Sequence, residues 1–355
     1  MFASSRTVFV CLLLLLDGFL SHPCSAFQAN RRHSNDIYLS RYQRPTLSTS
    51  SSLSSSFASQ ENTDKYMTML TCSESTRKEF SGKSVLLTGA SGGLGQAFAM
   101  ELAGCSLASI VLSGRNQDSL EKVAEEFAKL SQSTTKIHVV PCDLIDKASV
   151  QDLGKKALEL CDTIDILINN GGVSSRSDFL DTNIDVDERV MQINFFAGAA
   201  LAKILVPNMV ANRSGRIVWV SSVQGLIGIP SRTSYAASKF AVQGYCEGLR
   251  AELATNNVMV HVVSPGYIRT NLSLSAITGD GTAHGKMDET TAAGEEPKSV
   301  AVQILDKVAL GKTDFVVAAT PSAKVAIWMR LLCPGILQNM LVKRFEKSKK
   351  EKADQ

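Results

Sequence analysis

The 355-residue chain contains no C-x-x-C pair and no H-x-x-x-H pair. Its eight cysteines are scattered and its five histidines do not join them at ligand spacing, so no metal site is expected. The same scatter argues against a disulfide framework and fits free thiols in a reducing compartment. A net charge of +3 is too small to imply nucleic acid, and it is local, since six Lys/Arg and three Asp/Glu lie between Lys343 and Gln355. The apolar run at residues 8–16, VFVCLLLLL, holds nine residues, whereas a membrane-spanning helix needs about 20. No internal repeat is present. What remains suffices for a core: 44% hydrophobic and 20% charged residues suit one α/β domain of roughly 250 residues plus extensions.

The N-terminal run is preceded by Arg6, ends at Asp17 and is followed by small residues at Cys24-Ser25-Ala26. Residues 1–26 therefore read as a signal peptide, an uncleaved anchor being the alternative. Residues 27–78 read as a leader and linker. From Phe27 to about Gln60, Arg31, Arg32, Arg41 and Arg44 stand against the one acidic residue Asp36, with a serine cluster over 48–59, a composition that cannot pack a core. The stretch resembles a transit peptide. With the preceding Ser25-Ala26-Phe27 it resembles the bipartite plastid leader of algae with secondary plastids. Plastid targeting is the expectation, the endoplasmic reticulum lumen or membrane the alternative.

From residue 79 the pattern changes. Apolar runs at 84–87, 109–112, 137–140, 164–168, 217–220, 258–263 and 315–318 read as buried parallel strands. Helical stretches such as Gln117–Leu130 separate them. About seven such strands predict a single-domain α/β fold over 79–320: a Rossmann-type doubly wound parallel sheet in three α/β/α layers. Residues 272–297, rich in Gly, Thr and Glu, are expected to form a mobile excursion. Residues 321–355 read as an amphipathic hairpin with a basic end. It either lies on a membrane surface or packs on its own domain or a second subunit.

Thr88-Gly89-Ala90-Ser91-Gly92-Gly93-Leu94-Gly95 follows the first strand and opens a helix. Glycines there let the backbone approach a pyrophosphate, and the helix offers unpaired N–H groups to it. After the second strand, where an NAD site usually has a carboxylate, stand Gly114, Arg115 and Asn116. A guanidinium suits a 2′-phosphate, so NADP(H) is expected over NAD(H). Asp143, followed by Leu144, either accepts from the adenine amino group or caps the next helix. Asn169-Asn170-Gly171-Gly172 follows the fourth strand and permits close approach to the adenosine ribose.

Tyr235 and Lys239 lie four apart on one helical face. A tyrosine pKa of about 10 is high for proton exchange at neutral pH, and a neighbouring ammonium lowers it. Tyr235 then exchanges a proton with a carbonyl oxygen, while Lys239 tunes it and holds the nicotinamide ribose. Ser222, at the carboxyl end of the fifth strand, is placed to bond the substrate oxygen. Asn194 is a candidate for holding a water that links Lys239 to solvent. Pro265, Gly266, Ile268 and Thr270 are expected at the nicotinamide. Gln224 and Tyr267, with Ser222 and Tyr235, are expected at the substrate.

Taken together, T-G-x-x-x-G-x-G at 88–95, N-N-G-G at 169–172, Asn194, Ser222, Y-x-x-x-K at 235–239 and P-G at 265–266 resemble the short-chain dehydrogenase/reductase family. Gly171 departs from it conservatively, where the family usually has alanine. No basic residue stands in the glycine-rich loop, which leaves the NADP preference to Arg115. Ser221–Gly225, Ser264–Ser273, Met287-Asp288 and the ending from Pro321 look like the dehydrogenase/reductase member 7 group, especially its 7B branch. That likeness implies a lipophilic carbonyl or secondary alcohol as substrate (lipid, steroid or retinoid-like), membrane association, and a homodimer or homotetramer. The N-terminus departs from the group. A 3-oxoacyl thioester reductase and a non-catalytic NADP-binding sensor are the alternatives.

Overall fold

The computed structural model describes residues 72–131 and 134–353, so the expectations for the leader up to residue 71 lie outside them. In chain order the elements are α1 (Glu74–Phe80), β1 (Ser84–Thr88), α2 (Gly93–Ala103), β2 (Ser109–Gly114), α3 (Gln117–Leu130), β3 (Lys136–Pro141), α4 (Lys147–Cys161) and β4 (Ile166–Asn169). There follow α5 (Ile184–Met191), a π-helical turn (Gln192–Phe196), α6 (Ala197–Ala211), β5 (Gly215–Val220), α7 (Thr233–Leu253) and β6 (Val258–Pro265). The chain continues through α8 (Glu289–Ala292), α9 (Pro297–Ala309), β7 (Asp314–Val317), α10 (Pro321–Leu332) and α11 (Pro334–Ala353).

The seven strands form one parallel sheet in the order β3-β2-β1-β4-β5-β6-β7. Its central strands are buried on both faces, so they read as unbroken apolar runs and not as alternation. Leu86 of β1 pairs with Val111 of β2 on one side and Leu167 of β4 on the other. Helices α2, α3 and α9 cover one face through Phe98, Phe127 and Ile304. Helices α4, α6 and α7 cover the other through Leu153, Leu205 and Val242. In α3, Leu120, Val123 and Phe127 recur at i, i+3 and i+7 and are its buried residues, the stripe an amphipathic helix presents to a core. The helical run from Ile184 to Ala211 is long and apolar enough to cross a membrane, but half of its apolar window is buried within this fold. The strand order reverses between β1 and β4, which opens a crevice at the carboxyl ends of the strands.

Two sequence boundaries shift. The folded unit begins before residue 79, because Ser73 caps α1, accepting from the Thr76 amide at 3.2 Å and donating to Asp306 Oδ1 at 2.6 Å. Thr76 and Phe80 are buried beneath it. A helix of about two turns carries little periodicity, so the sequence gives no clear sign of it. Residues 272–297 are fastened and not a free excursion. Ile277 donates to the Ser174 carbonyl at 2.8 Å and accepts from the Arg176 amide at 2.9 Å. Asp288 in the same segment binds two arginines of the body. Among the described residues the cysteines are free, and no group of three His, Cys, Asp or Glu could hold a metal.

Candidate active site

A cavity of about 400 Å³ opens at the carboxyl ends of the central strands. Its floor on one side is the glycine-rich turn. Gly89 has φ +64°, and a Cβ there would lie 2.7 Å from Gly171 Cα. A Cβ on Gly95 would lie 2.0 Å from the Gly89 carbonyl oxygen, and one on Gly93 would lie 2.9 Å from Thr270 Cγ2. The turn is thus closed on itself, and only hydrogen fits at these Cα atoms. Gly95→Ala is expected to cost about 1–3 kcal/mol through overpacking against backbone. Thermal unfolding should show a lower Tm, and a smaller rise in Tm on adding a nicotinamide dinucleotide than the unsubstituted protein gives.

Thr88 organises the adjacent loop. Its hydroxyl accepts from the Asn170 and Gly171 amides at 3.1 and 3.0 Å, while Asn170 Nδ2 donates to the Thr88 and Gly89 carbonyls at 3.0 and 3.2 Å. Asn170 thus ties the end of β4 to the end of β1. The start of α2 suits an anion. Its N-cap, Gly92, makes no side-chain cap bond, whereas Asn116, Asp146 and Thr320 cap α3, α4 and α10. The first amides of α2 face the cavity without an internal partner. Ser91, Leu94, Arg115, Asp143 and Leu144 line the same cavity, and Arg115 is exposed at its rim. These residues fit a dinucleotide. Asn116 does not join them, because its Oδ1 is used by the Ser119 amide at 2.8 Å. Asp143 does not cap α4; it accepts from the Ile145 amide at 3.1 Å and leaves the helix to Asp146.

On the opposite wall, α7 brings Tyr235 and Lys239 together, with the Lys239 Nζ 5.6 Å from the centre of the phenol ring. Both are buried and line the cavity. The Lys239 Nζ donates to the Val220 carbonyl at 2.9 Å, tying α7 to the end of β5. Burial lowers its pKa to about 8. Accordingly kcat/KM, which reports the free enzyme's ionisations, should fall as pH rises through about 8 and Lys239 becomes neutral. A profile flat to pH ~10, where an ordinary lysine titrates, would contradict this.

The electrostatics of Tyr235 differ from the simple expectation. Burial pushes the phenol up, while a hydrogen bond with Ser222 and the guanidinium charges of Arg176 and Arg232 pull it down, and the net direction is upward. With the lysine turned to Val220, desolvation outweighs the nearby charges. At neutral pH Tyr235 is a protonated donor. Ser222 also accepts from the Gln224 amide at 3.1 Å, which orients its hydroxyl. Gln224 is buried on the cavity wall with its Oε1 unpartnered among the described residues. Asn194 lies behind the cavity in the π-helical turn, a local register shift often found at functional sites. Its amide is fully engaged with both backbone groups of Val173, at 2.8 and 2.9 Å, and with Ser238 Oγ at 2.9 Å. It is a positioning residue: Ser238 bonds the Tyr235 carbonyl at 2.7 Å, so Asn194 steadies the helix that carries the tyrosine.

Pro265 ends β6 and Gly266 abuts β7, where a Cβ would meet the Ala318 carbonyl oxygen at 2.0 Å. With Ile268, Thr270 and Tyr267 they line the cavity between the two walls. Arg176 and Arg232 are the residues the sequence did not disclose. Both line the cavity, and both bond Asp288, at 2.5 and 3.1 Å. Arg232 also donates to the Tyr267 hydroxyl at 3.2 Å. Burial opposes ionisation of Asp288, but the Arg176 hydrogen bonds and both positive charges outweigh it, and its pKa is lowered. Met287-Asp288 had stood out only as part of a likeness; its partners lie 112 and 56 residues away, beyond any local pattern.

Comparison with known proteins accords with this geometry. The short chain dehydrogenase pattern matches residues 83–279. "Dehydrogenase/reductase SDR family protein 7-like" of Anopheles gambiae is 44% identical over 288 residues, which cover 80% of this chain and 89% of that protein. The chain belongs to the short-chain dehydrogenase/reductase family. Other relatives in this family include the 7-like protein of Drosophila melanogaster, 43% identical over 76% of this chain and 82% of its own length. "Dehydrogenase/reductase SDR family member 7B" of Bos taurus is 42% identical, over 76% and 83%. Among solved structures, a short-chain dehydrogenase from Sphingobium yanoikuyae in complex with NADPH superposes with a TM-score of 0.59 at 25% identity, covering 73% of this chain and 95% of that one. One from Burkholderia phymatum in complex with NAD gives 0.62 at 22% identity, over 71% and 94%, which bears on the fold alone. This short-chain dehydrogenase/reductase therefore shares both sequence family and sheet architecture with oxidoreductases.

Proposed function

We propose that the chain is an NADP(H)-dependent oxidoreductase that interconverts a lipophilic carbonyl compound and its secondary alcohol. The observation that carries the reading is the convergence of Tyr235, Ser222 and Lys239 on a cavity whose far wall is an uncapped helix start with Arg115 at its rim. When bound, the nicotinamide dinucleotide supplies or accepts the hydride. Ser222 holds the substrate oxygen. In the reducing direction Tyr235 gives that oxygen its proton, and the carbonyl carbon, having gained the hydride, becomes an alcohol carbon. Lys239 carries positive charge beside the phenol, which favours the phenolate left behind. Asn194 positions Tyr235 by fixing Val173 and Ser238. Tyr235 is protonated at neutral pH, the state that proton donation requires. Val173, Ile193, Val223 and Leu272 on the cavity wall supply apolar surface for the substrate.

The test is cofactor oxidation by the purified protein with NADPH and NADH, against a steroid ketone, retinal and a 3-oxoacyl thioester. NADPH-dependent turnover of one of the two lipophilic carbonyls is expected. Preference for the thioester, or equal use of NADH, would contradict the reading.

A further inference from the structure

We infer that the C-terminal hairpin, α10 and α11, is a docking surface for an anionic lipid bilayer, and that it places the cavity mouth beside that surface. The hairpin is joined to the catalytic side of the domain. The Arg330 guanidinium stacks 4.6 Å from the centre of the Phe240 ring, next to Lys239 on α7. The cavity residue Tyr267 is drawn below its usual pKa, in spite of burial, by charge and hydrogen bonding from Arg232 and from Arg344 of α11. Leu337, just after the turn of the hairpin, is buried.

Large apolar side chains of the hairpin are uncovered. Trp328 is 65% exposed and Leu331 67%, values far above those of core side chains, and Val325, Leu332, Ile336 and Met340 are exposed with them. Val325, Trp328 and Leu332 recur at i, i+3 and i+7, one face of α10. On α11, Ile336, Met340, Lys343, Lys347 and Lys350 recur at the same helical period. That face is apolar near the turn of the hairpin and basic along the following ~15 Å, given a rise of about 1.5 Å per residue. An apolar end continuing into a lysine stripe matches a bilayer interface, where side chains such as Trp and Leu enter the headgroup boundary and lysines meet anionic lipid.

Charge decides among occupants. Residues 321–350 carry seven Lys/Arg against the single acidic Glu346. A second copy would oppose like charge with like, whereas an anionic surface is complementary. The inference does not depend on the cofactor or substrate reading, and its test involves no turnover.

The chain has two tryptophans, Trp219 and Trp328. Trp219 is 2% exposed, so Trp328 reports the hairpin alone, even in the full chain with its apolar leader. Tryptophan emission is measured with phosphatidylglycerol vesicles and with phosphatidylcholine vesicles. A blue shift with phosphatidylglycerol is expected, absent in Trp328→Phe and weakened by salt. Replacing Lys343, Lys347 and Lys350 by Gln should weaken the binding on the order of 100-fold, at roughly 5-fold per lysine near an anionic surface. Emission that stays at the solvent-exposed wavelength with phosphatidylglycerol would overturn the inference. So would a shift of equal size and affinity with phosphatidylcholine. A shift that follows protein concentration without vesicles would identify a second copy, and one already present in dilute protein would identify the chain's own leader; either overturns it too.

Discussion

Tyr235→Phe is expected to lower kcat by about 100- to 10,000-fold, the range that a single positioned acid or base contributes, while NADPH affinity changes only a few-fold. The substitution removes one oxygen and keeps the ring, so the packing of this buried side chain is preserved. Lys239 keeps its bond to the Val220 carbonyl, and the glycine-rich wall is untouched. What disappears is the proton that Ser222, Arg176 and Arg232 surround. A drop in kcat and kcat/KM together identifies an interaction made in the transition state, whereas a rise in KM alone would identify ordinary substrate binding. Cofactor affinity is read separately by fluorescence titration, which distinguishes loss of the donor from collapse of the site. Full turnover in the variant would remove Tyr235 from the chemistry.

Arg115→Asp is expected to reverse cofactor choice. Hydrogen bonds to a charged group contribute about 1.5–3 kcal/mol, so loss of the guanidinium should weaken NADPH binding by about 10- to 100-fold. The new carboxylate also repels the 2′-phosphate and can accept from the ribose hydroxyl of NADH. Position 115 is where such an exchange acts directly, because it lies at the cavity rim beyond Gly114 and is exposed. No basic residue of the glycine-rich turn shares its task. The ratio of kcat/KM for NADPH to that for NADH reads the effect, and an unchanged ratio would show that 2′-phosphate recognition lies elsewhere.

The sheet was legible because its strands are buried on both faces. Continuous runs such as SVLLT and SIVLSG leave no other economical placement. The active pair was legible because four residues make one helical turn, and the glycine turn because it stands between a strand and a helix. Legibility ended where partners are remote in sequence. Arg176, Arg232 and Asp288 form one cluster that no local spacing announces. Asn116 illustrates the opposite difficulty. A residue of the right type beside the cofactor wall was needed locally, to cap α3. For Tyr235 the sequence suggested a lowered pKa and the structure gives a raised one, because desolvation depends on burial that a sequence does not measure.

In the proposed reaction a hydride passes from the nicotinamide to a carbonyl carbon with Tyr235 as the proton donor. The most direct measurement supplies NADPH deuterated at the transferable position of nicotinamide C4 and follows the label by mass spectrometry into the product of a ketone that the enzyme turns over. One deuterium is expected on the new alcohol carbon, with a normal isotope effect where chemistry limits the rate and almost no labelled product from Tyr235→Phe. NADPH oxidation that leaves the alcohol carbon unlabelled, or equal labelling by the Tyr235→Phe variant, would contradict it.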